Sequence, residues 1–517
     1  MIPTSTSRMN AVIAIPSVCD FYFTPHRFSA LGAQIVSKIL NSLEIDNEIL
    51  NFPLLVKSSQ TIDLPKDIHY LKPYLFPNET GKTSYFTKYQ RFGPDSLSCA
   101  KIIESKNPQV CFISCFAFSY AKEALDLAND IKRLNSAILV IMGGAGVSSY
   151  PHYFVENECV DFAIAGEAEI SVPKFMHALK NNGPFDGIPG VFYKELYQNQ
   201  LITKSNRTKS NAIIPVFSKV LETNKTTIIS VSLSRGCNKN CLFCSNSLTH
   251  GKGLRLSDIN HVSELVETIS IDQNKRIFIN FEDDNLLFDT DYFLKVIHIF
   301  KNKLPGISFL AENGLDYLML SQSLADILIE LGFKSFNFTV GSIDESVLEK
   351  QNRKGHLAHY ESLVKHIASK HIPVLSYFIC GLNGDTKETI INVLAYLFKL
   401  PTQIGISMFY AIPGMADFQN YNFFTGRHSC VSNGSSAYPW YNSLSTQELI
   451  TAFRLSRLAN LMKQSKKSDL ELQLIEKIKK DKKLYSFFKN KNKVEIEVVP
   501  NVNNEMVEMF LVSIQVV

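Results

Sequence analysis

Hydrophobic residues in the first part of the chain fall into short, nearly unbroken runs separated by stretches of helical period. "AVIAIP" (11–16), "VCFISCF" (110–116), "AILVIMGG" (137–144) and "VDFAIAGEAE" (160–169) read as strands, with an amphipathic helix over "SALGAQIVSKILNSL" (29–43). Runs with no polar alternation suit parallel strands covered by helices on both faces. The pattern therefore predicts an α/β, doubly wound (Rossmann-like) domain over residues 1–200, with any ligand beyond the carboxyl ends of its strands. Residues 51–94 are rich in Pro, Tyr and Phe and predict no regular element, and 201–225 read as a linker.

A second alternating series occupies 226–415. Its strand candidates are "TIISVSL", "RIFINF", "ISFLA", "FNFTV", "PVLSYFIC" and "IGISMF", with helical patterns such as 262–269 and 292–303 between them. A full eight-fold barrel takes about 250 residues. Six strand–helix repeats predict a partial (β/α)6 TIM-type barrel instead. Residues 416–517 read as a mostly helical C-terminal region, opened by the capping box "STQE" (445–448). Eight lysines between 463 and 483 are interleaved with Glu and Asp, which reads as a solvated helix face rather than a nucleic-acid surface.

Composition narrows the class. The 517 residues are 45% hydrophobic and 20% charged, the balance of a soluble globular protein. No uncharged apolar run is long enough to span a membrane. A net charge of +4 does not by itself call for a nucleic-acid partner. The start of the chain lacks the signature of a signal peptide. Seven of the ten cysteines (Cys19, Cys99, Cys111, Cys115, Cys159, Cys380 and Cys430) are scattered singly, several in apolar runs, as small buried hydrophobes are. A cytoplasmic location is the expectation.

The other three cysteines are concentrated in "SRGCNKNCLFCSN" (234–246), just after the first barrel strand. A zinc site made of cysteine needs four ligands, usually in two pairs, and Cys237, Cys241 and Cys244 have no second pair; His250 is the nearest histidine. Three thiolates suit an iron–sulfur cubane with one iron left open. The C-x3-C-x2-C spacing, with Phe243 before the third cysteine and "SRG" leading in, resembles the radical S-adenosylmethionine (SAM) superfamily. That resemblance implies a [4Fe–4S] cluster on Cys237, Cys241 and Cys244. SAM would chelate the open iron and be cleaved reductively to methionine and a 5′-deoxyadenosyl radical. It also implies an external electron donor such as flavodoxin or ferredoxin.

The resemblance extends along the barrel. "NFEDDN" (280–285) ends the second strand, where relatives place acids near the methionyl amine, which makes Asp283 and Asp284 candidates; helix capping is the alternative. "ENG" (312–314) contributes Glu312 and Asn313. Ser342 stands where many relatives carry a ribose-binding Glu. "YFICGLNGDTKET" is similar to the family's Gly-Leu-Pro-Gly-Glu-Thr turn, with Asn383 and Asp385 substituted, and "AIPGM" (411–415) resembles the closing segment.

In the front domain, "GG" (143–144) and "GEAE" (166–169) follow buried strands, where bare backbone admits a large ligand. For any one glycine pair a turn or packing role is the alternative. The arrangement resembles cobalamin-binding domains, which show Ser-x-Leu and, a fixed interval later, Gly-Gly. Here Ser114-Cys115-Phe116 is separated from Gly143-Gly144 by 26 residues. Ser114, Phe116, Gly143, Gly144, Gly166 and Glu167 become the cofactor-binding candidates. "DIHYLK" (67–72) matches the spacing of the motif whose histidine ligates cobalt, but His69 lies outside the loop that carries it, and His26 is a second candidate. Cobalamin without a protein ligand is the expectation.

The resemblance thus implies a cobalamin-binding radical SAM enzyme. Methylation of an unactivated carbon of a small molecule, lipid or natural product leads. Radical cyclisation, ring rearrangement or oxidation uses the same parts, and a non-catalytic cobalamin sensor with a structural cluster is the remote alternative. Tyr410, Tyr438, Trp440 and Tyr441 are either substrate contacts or core.

Overall fold

A computed structural model describes residues 9–24, 28–56, 58–194, 196–197, 200–201, 213–491 and 493–515. The front sheet has six strands in the order Val191–Tyr193, Phe162–Ile164, Leu139–Gly143, Val110–Ser114, Asn10–Ile15, Asp46–Asn51. All neighbours pair in parallel except the antiparallel edge Val191–Tyr193. The continuous hydrophobicity of the first strand is explained by its two faces. Ala11, Ile13 and Ile15 join a core with Ile35 and Ile39 of helix Leu31–Ser42 and Phe175 of helix Ala168–Lys180. Val12 and Ala14 join a second core with Ile103 of helix Ser96–Glu104 and Leu125 of helix Ala121–Leu134. This is a doubly wound layer in which the strand order reverses between Asn10–Ile15 and Val110–Ser114, the crevice where such sheets bind ligands.

The second unit places Thr226–Ser232, Arg276–Phe281 and Ser308–Leu310 in one parallel run and Phe336–Gly341, Val374–Cys380 and Gln403–Met408 in another. Parallel bridges Phe309↔Phe333 and Leu315↔Phe338 join the two runs into an open six-stranded barrel wall. Val216–Glu222, inside the stretch read as a linker, pairs antiparallel with the first barrel strand and forms the sheet edge.

The last barrel strand acquires its helix from the C-terminal region. Thr446–Lys463 opens on a reciprocal Ser445–Glu448 capping box and lies against Gln403–Met408. Asn460 brackets Ile404 from both sides, its Oδ1 accepting from the Ile404 N–H at 2.9 Å and its Nδ2 donating to the Ile404 carbonyl at 2.8 Å. The region is helical in its main elements, with an added hairpin of Tyr485–Asn490 and Lys493–Val498.

Residues 60–92 leave the front sheet altogether. Ile68, Leu71, Tyr85 and Tyr89 are buried in the barrel core, and Glu79–Thr80 pairs with the C-terminal hairpin. Glu79 is fixed there by Arg454, whose two terminal nitrogens reach its two carboxylate oxygens at 2.5 and 2.9 Å in a fully buried pair. Among the described residues no helix is long and apolar enough to cross a membrane.

Candidate functional site

The cysteine loop begins at the carboxyl end of the first barrel strand, where Gly236 takes a positive φ of 81°. A side chain there would strike the Gly253 carbonyl at 2.4 Å, so glycine is required for the loop to fold back on 251–255. Its backbone N–H donates to Asp284 Oδ2 at 2.9 Å. Asp283 braces the preceding turn: its Oδ1 accepts from Leu233 N–H at 3.0 Å and from Ser234 Oγ at 2.5 Å. Burial pushes the Asp283 carboxyl up to about 6 despite those two donors. On the far side, Leu242 N–H donates to the Gln351 carbonyl and Asn352 Nδ2 to the Asn240 carbonyl, tying the loop to the segment after the fourth strand.

Cys237, Cys241, Phe243 and Cys244 line one cavity at the barrel mouth together with Asp283, Asp284, Glu312 and Asn313. Arg353 enters the same cavity, with Nη1 3.8 Å from Cys241 Sγ and its guanidinium facing the Phe243 ring. Its Nη2 is held by the Thr339 carbonyl at 2.6 Å. Arg353 was not among the sequence candidates, because a lone Arg in "QNRKG" carries no spacing signal. Ser342 lies outside this lining, buried, with its hydroxyl accepting from the Asp344 N–H. Tyr410 lines the cavity. Tyr438, Trp440 and Tyr441 pack instead against aromatic neighbours such as Tyr70, Phe423 and Phe418.

A second cavity opens at the carboxyl ends of the front sheet. Ser114, Phe116, Gly143, Gly144, Gly166 and Glu167 line it, as do Arg235, His250, Glu282 and Asp284 from the barrel side. Gly144 has φ of 105°, and a Cβ there would lie 2.5 Å from the Cys115 carbonyl. At Gly143 a Cβ would meet only the Ile164 carbonyl at 3.9 Å, so that glycine leaves open space. Glu167 is taken up at the interface: Arg255 grips its two oxygens at 2.6 Å each, and His250 Nδ1 lies at 3.0 Å. His69 is elsewhere, in the turn Lys66–Tyr74 and bonded to the Leu64 carbonyl at 3.1 Å. His26 lies outside the described residues.

The donor sets decide which groups suit these cavities. A zinc site made of cysteine would need a fourth ligand beside Cys237, Cys241 and Cys244. Three thiols around one open cavity do suit a cubane, in which each sulfur takes its own iron. The front cavity offers a bare glycine floor at Gly143, apolar walls and two orphaned buried polar atoms, Glu169 Oε1 and Arg235 Nη2. These fit a large, mostly apolar ligand with a polar periphery.

Comparison with known proteins agrees. Residues 231–397 match the Radical SAM superfamily. An uncharacterised methyltransferase of Pyrococcus horikoshii is 25% identical over 308 residues, 58% of this chain and 66% of that protein. Cytidylyl-2-hydroxyethylphosphonate methyltransferase of Streptomyces wedmorensis is 20% identical over 351 residues, 59% of this chain and 64% of that one. The matched stretch is thus just under two thirds of each relative's length. The fold is that of the radical SAM methyltransferase TsrM of Kitasatospora setae, solved with cobalamin and a [4Fe-4S] cluster bound. The TM-score is 0.57 at 13% identity, over 79% of this chain and 74% of TsrM. The chain thus carries a Radical SAM superfamily match over 231–397 and shares its overall fold with a cobalamin-bound radical SAM methyltransferase.

Proposed function

We propose that the chain is a cobalamin-dependent radical SAM methyltransferase acting on an unactivated carbon of a small molecule, lipid or natural product. The observation that carries the reading is the meeting of the two cavities: Asp284 lines both, at the carboxyl ends of both sets of strands. Cofactors in the two cavities would face each other across one layer of side chains. When bound, the cluster and SAM supply hydrogen abstraction and the corrinoid supplies a methyl group.

The chain's own part is to bind, orient and shield. Cys237, Cys241 and Cys244 would hold the [4Fe–4S] cluster, with Phe243 and Arg353 walling it. Asp284, Glu312 and Asn313 would receive the ammonium of SAM and Arg353 its carboxylate, a pairing of opposite charges on opposite sides of one cavity. Asp283, with one oxygen bound to the cysteine-loop turn, would position the loop rather than the ligand. Ser114, Gly143, Gly144 and Gly166 would form the floor under the corrinoid, with Phe116 beside it. An external one-electron donor, of the flavodoxin or ferredoxin kind, would reduce the cluster.

Anaerobic reconstitution with iron, sulfide and hydroxocobalamin, followed by an assay of SAM products, tests this. Formation of 5′-deoxyadenosine together with S-adenosylhomocysteine in the presence of substrate is expected. Deoxyadenosine without S-adenosylhomocysteine would move the reading to a radical reaction other than methyl transfer. A fully loaded cluster that leaves SAM intact would overturn it.

A further inference from the structure

We propose that Glu169 and Arg235 together clamp one primary carboxamide arm of the corrin ring, one residue from each side of the interface. The inference rests on the corrinoid reading of the front cavity and names the residues of this chain that recognise the ligand's edge. Glu169 stands in the first turn of helix Ala168–Lys180, just beyond the fifth front-sheet strand. Arg235 stands on the short strand Ser234–Arg235, leading into the cysteine loop. Both line the front cavity, and their side chains are only 3% and 5% exposed.

What distinguishes this pair is that it is incomplete. Arg235 Nη1 is occupied, donating to Ser232 Oγ at 2.5 Å and to the Ser234 carbonyl at 2.8 Å. Arg235 Nη2 and Glu169 Oε1 face each other as an ion pair at 4.0 Å, but neither has a hydrogen-bond partner. Leaving a buried guanidinium N–H and a buried carboxylate oxygen without hydrogen bonds is costly even within an ion pair, and native sites rarely do so without a ligand or water between them. Glu167, two residues earlier, makes the contrast. Both of its oxygens are held by Arg255 at 2.6 Å, so it is a finished structural contact with nothing to offer a ligand.

The chemistry of the gap selects its occupant. It holds one donor and one acceptor 4.0 Å apart, on two residues that line the same cavity. A carboxylate would satisfy Arg235 and repel Glu169, and an ammonium would do the reverse. A primary amide satisfies both, since its carbonyl accepts from Arg235 Nη2 while its NH2 donates to Glu169 Oε1. The corrin periphery carries acetamide and propionamide arms and no acid, so it matches a site that requires both functions at once. Because Glu169 belongs to a helix of the front layer and Arg235 to the strand leading into the cysteine loop, loading the ligand also ties the two together.

Spectrophotometric titration of the full chain with hydroxocobalamin and with its separated monocarboxylic acids, each having one amide arm converted to acid, tests the clamp without reference to turnover. Wild-type protein should bind one acid isomer at least about tenfold more weakly than hydroxocobalamin, the cost of one charge-assisted bond turned repulsive. Glu169→Ala should weaken hydroxocobalamin by a similar factor. In Glu169→Gln the affinity for that same isomer, relative to hydroxocobalamin, should rise at least about tenfold, a gain that a misfolded variant cannot imitate. Equal binding of all acid isomers and hydroxocobalamin by wild type, or unchanged affinity in Glu169→Ala, would overturn the clamp and leave water in the gap. Failure of wild type to take up any corrinoid would instead overturn the reading of the front cavity, and the clamp with it.

Discussion

Asp283 illustrates how one side chain in the mouth of the barrel is set by its surroundings. It is buried, it accepts two hydrogen bonds through Oδ1, and its Oδ2 has none. Burial raises its pKa to about 6, above the value near 3.9 of the unfolded chain. The stabilisation given by its protonated form is therefore complete below pH about 4 and is lost as pH rises through about 6. Urea unfolding of the metal-free chain should show Asp283→Asn losing less stability than wild type between pH 4.5 and 7, a difference of about 2 kcal/mol. Parallel slopes for the two proteins would refute this. Cys241 is simpler. Cys241→Ala removes one of the three thiolates, so the reconstituted protein should lose most of the visible absorbance of an iron–sulfur cluster; full absorbance would mean that the ligands lie elsewhere.

At the scale of elements, the turn after Leu139–Gly143 holds two adjacent glycines with different reasons to be glycine. Gly144 is fixed by backbone geometry, φ of 105° and a carbonyl 2.5 Å from where a Cβ would sit. Gly144→Ala should lower stability by about 1–3 kcal/mol, read as a shift of the denaturation midpoint. Gly143 is free of that constraint. Gly143→Leu should leave the midpoint within about 1 kcal/mol of wild type while abolishing hydroxocobalamin uptake, because the side chain fills space the ligand needs. A large loss of stability at 143, or tight corrinoid binding by Gly143→Leu, would contradict the assignment. The sequence registers both residues as one "GG" and cannot separate them; the distinction depends on what stands opposite each Cβ.

For the whole molecule, the decisive contact is the buried Glu79–Arg454 pair, joining the excursion at 60–92 to the helix Thr446–Lys463. Removing one partner strands the other's charge, so Arg454→Met should cost about 3–5 kcal/mol. The double variant Glu79→Met/Arg454→Met should recover much of it, since an apolar pair of similar volume carries no desolvation debt. Denaturant titration of the single and double variants gives the coupling directly. A double variant no more stable than the single would show that the pair acts through other contacts. Half-buried Lys463, at the end of the same helix, donates to the carbonyl of Leu397 at 2.8 Å, and partial burial brings its pKa down to about 8.

Features whose physics is local can be read along the chain. Unbroken apolar runs are why four of the six front strands, and all six barrel strands, could be read along the chain. "STQE" demanded a helix start, and Cys237, Cys241 and Cys244 stand out as a candidate set because they lie close enough in the chain for spacing to single them out. Only the tertiary structure decided the rest. The strand Asp46–Asn51, with Leu50 as its one buried residue, has too little apolar signal to announce itself. The segment 60–92 buries its aromatic residues against a region nearly 400 residues later, and no period within it shows that. Arg353, Glu169 and Arg235 become site residues only through partners brought by other elements, since an isolated charged side chain has no pattern of its own. Chain-local chemistry fixed which cofactor chemistry the loop at 234–246 suits, whereas the meeting of its cavity with a second one at Asp284 required two sets of strands brought together at their carboxyl ends.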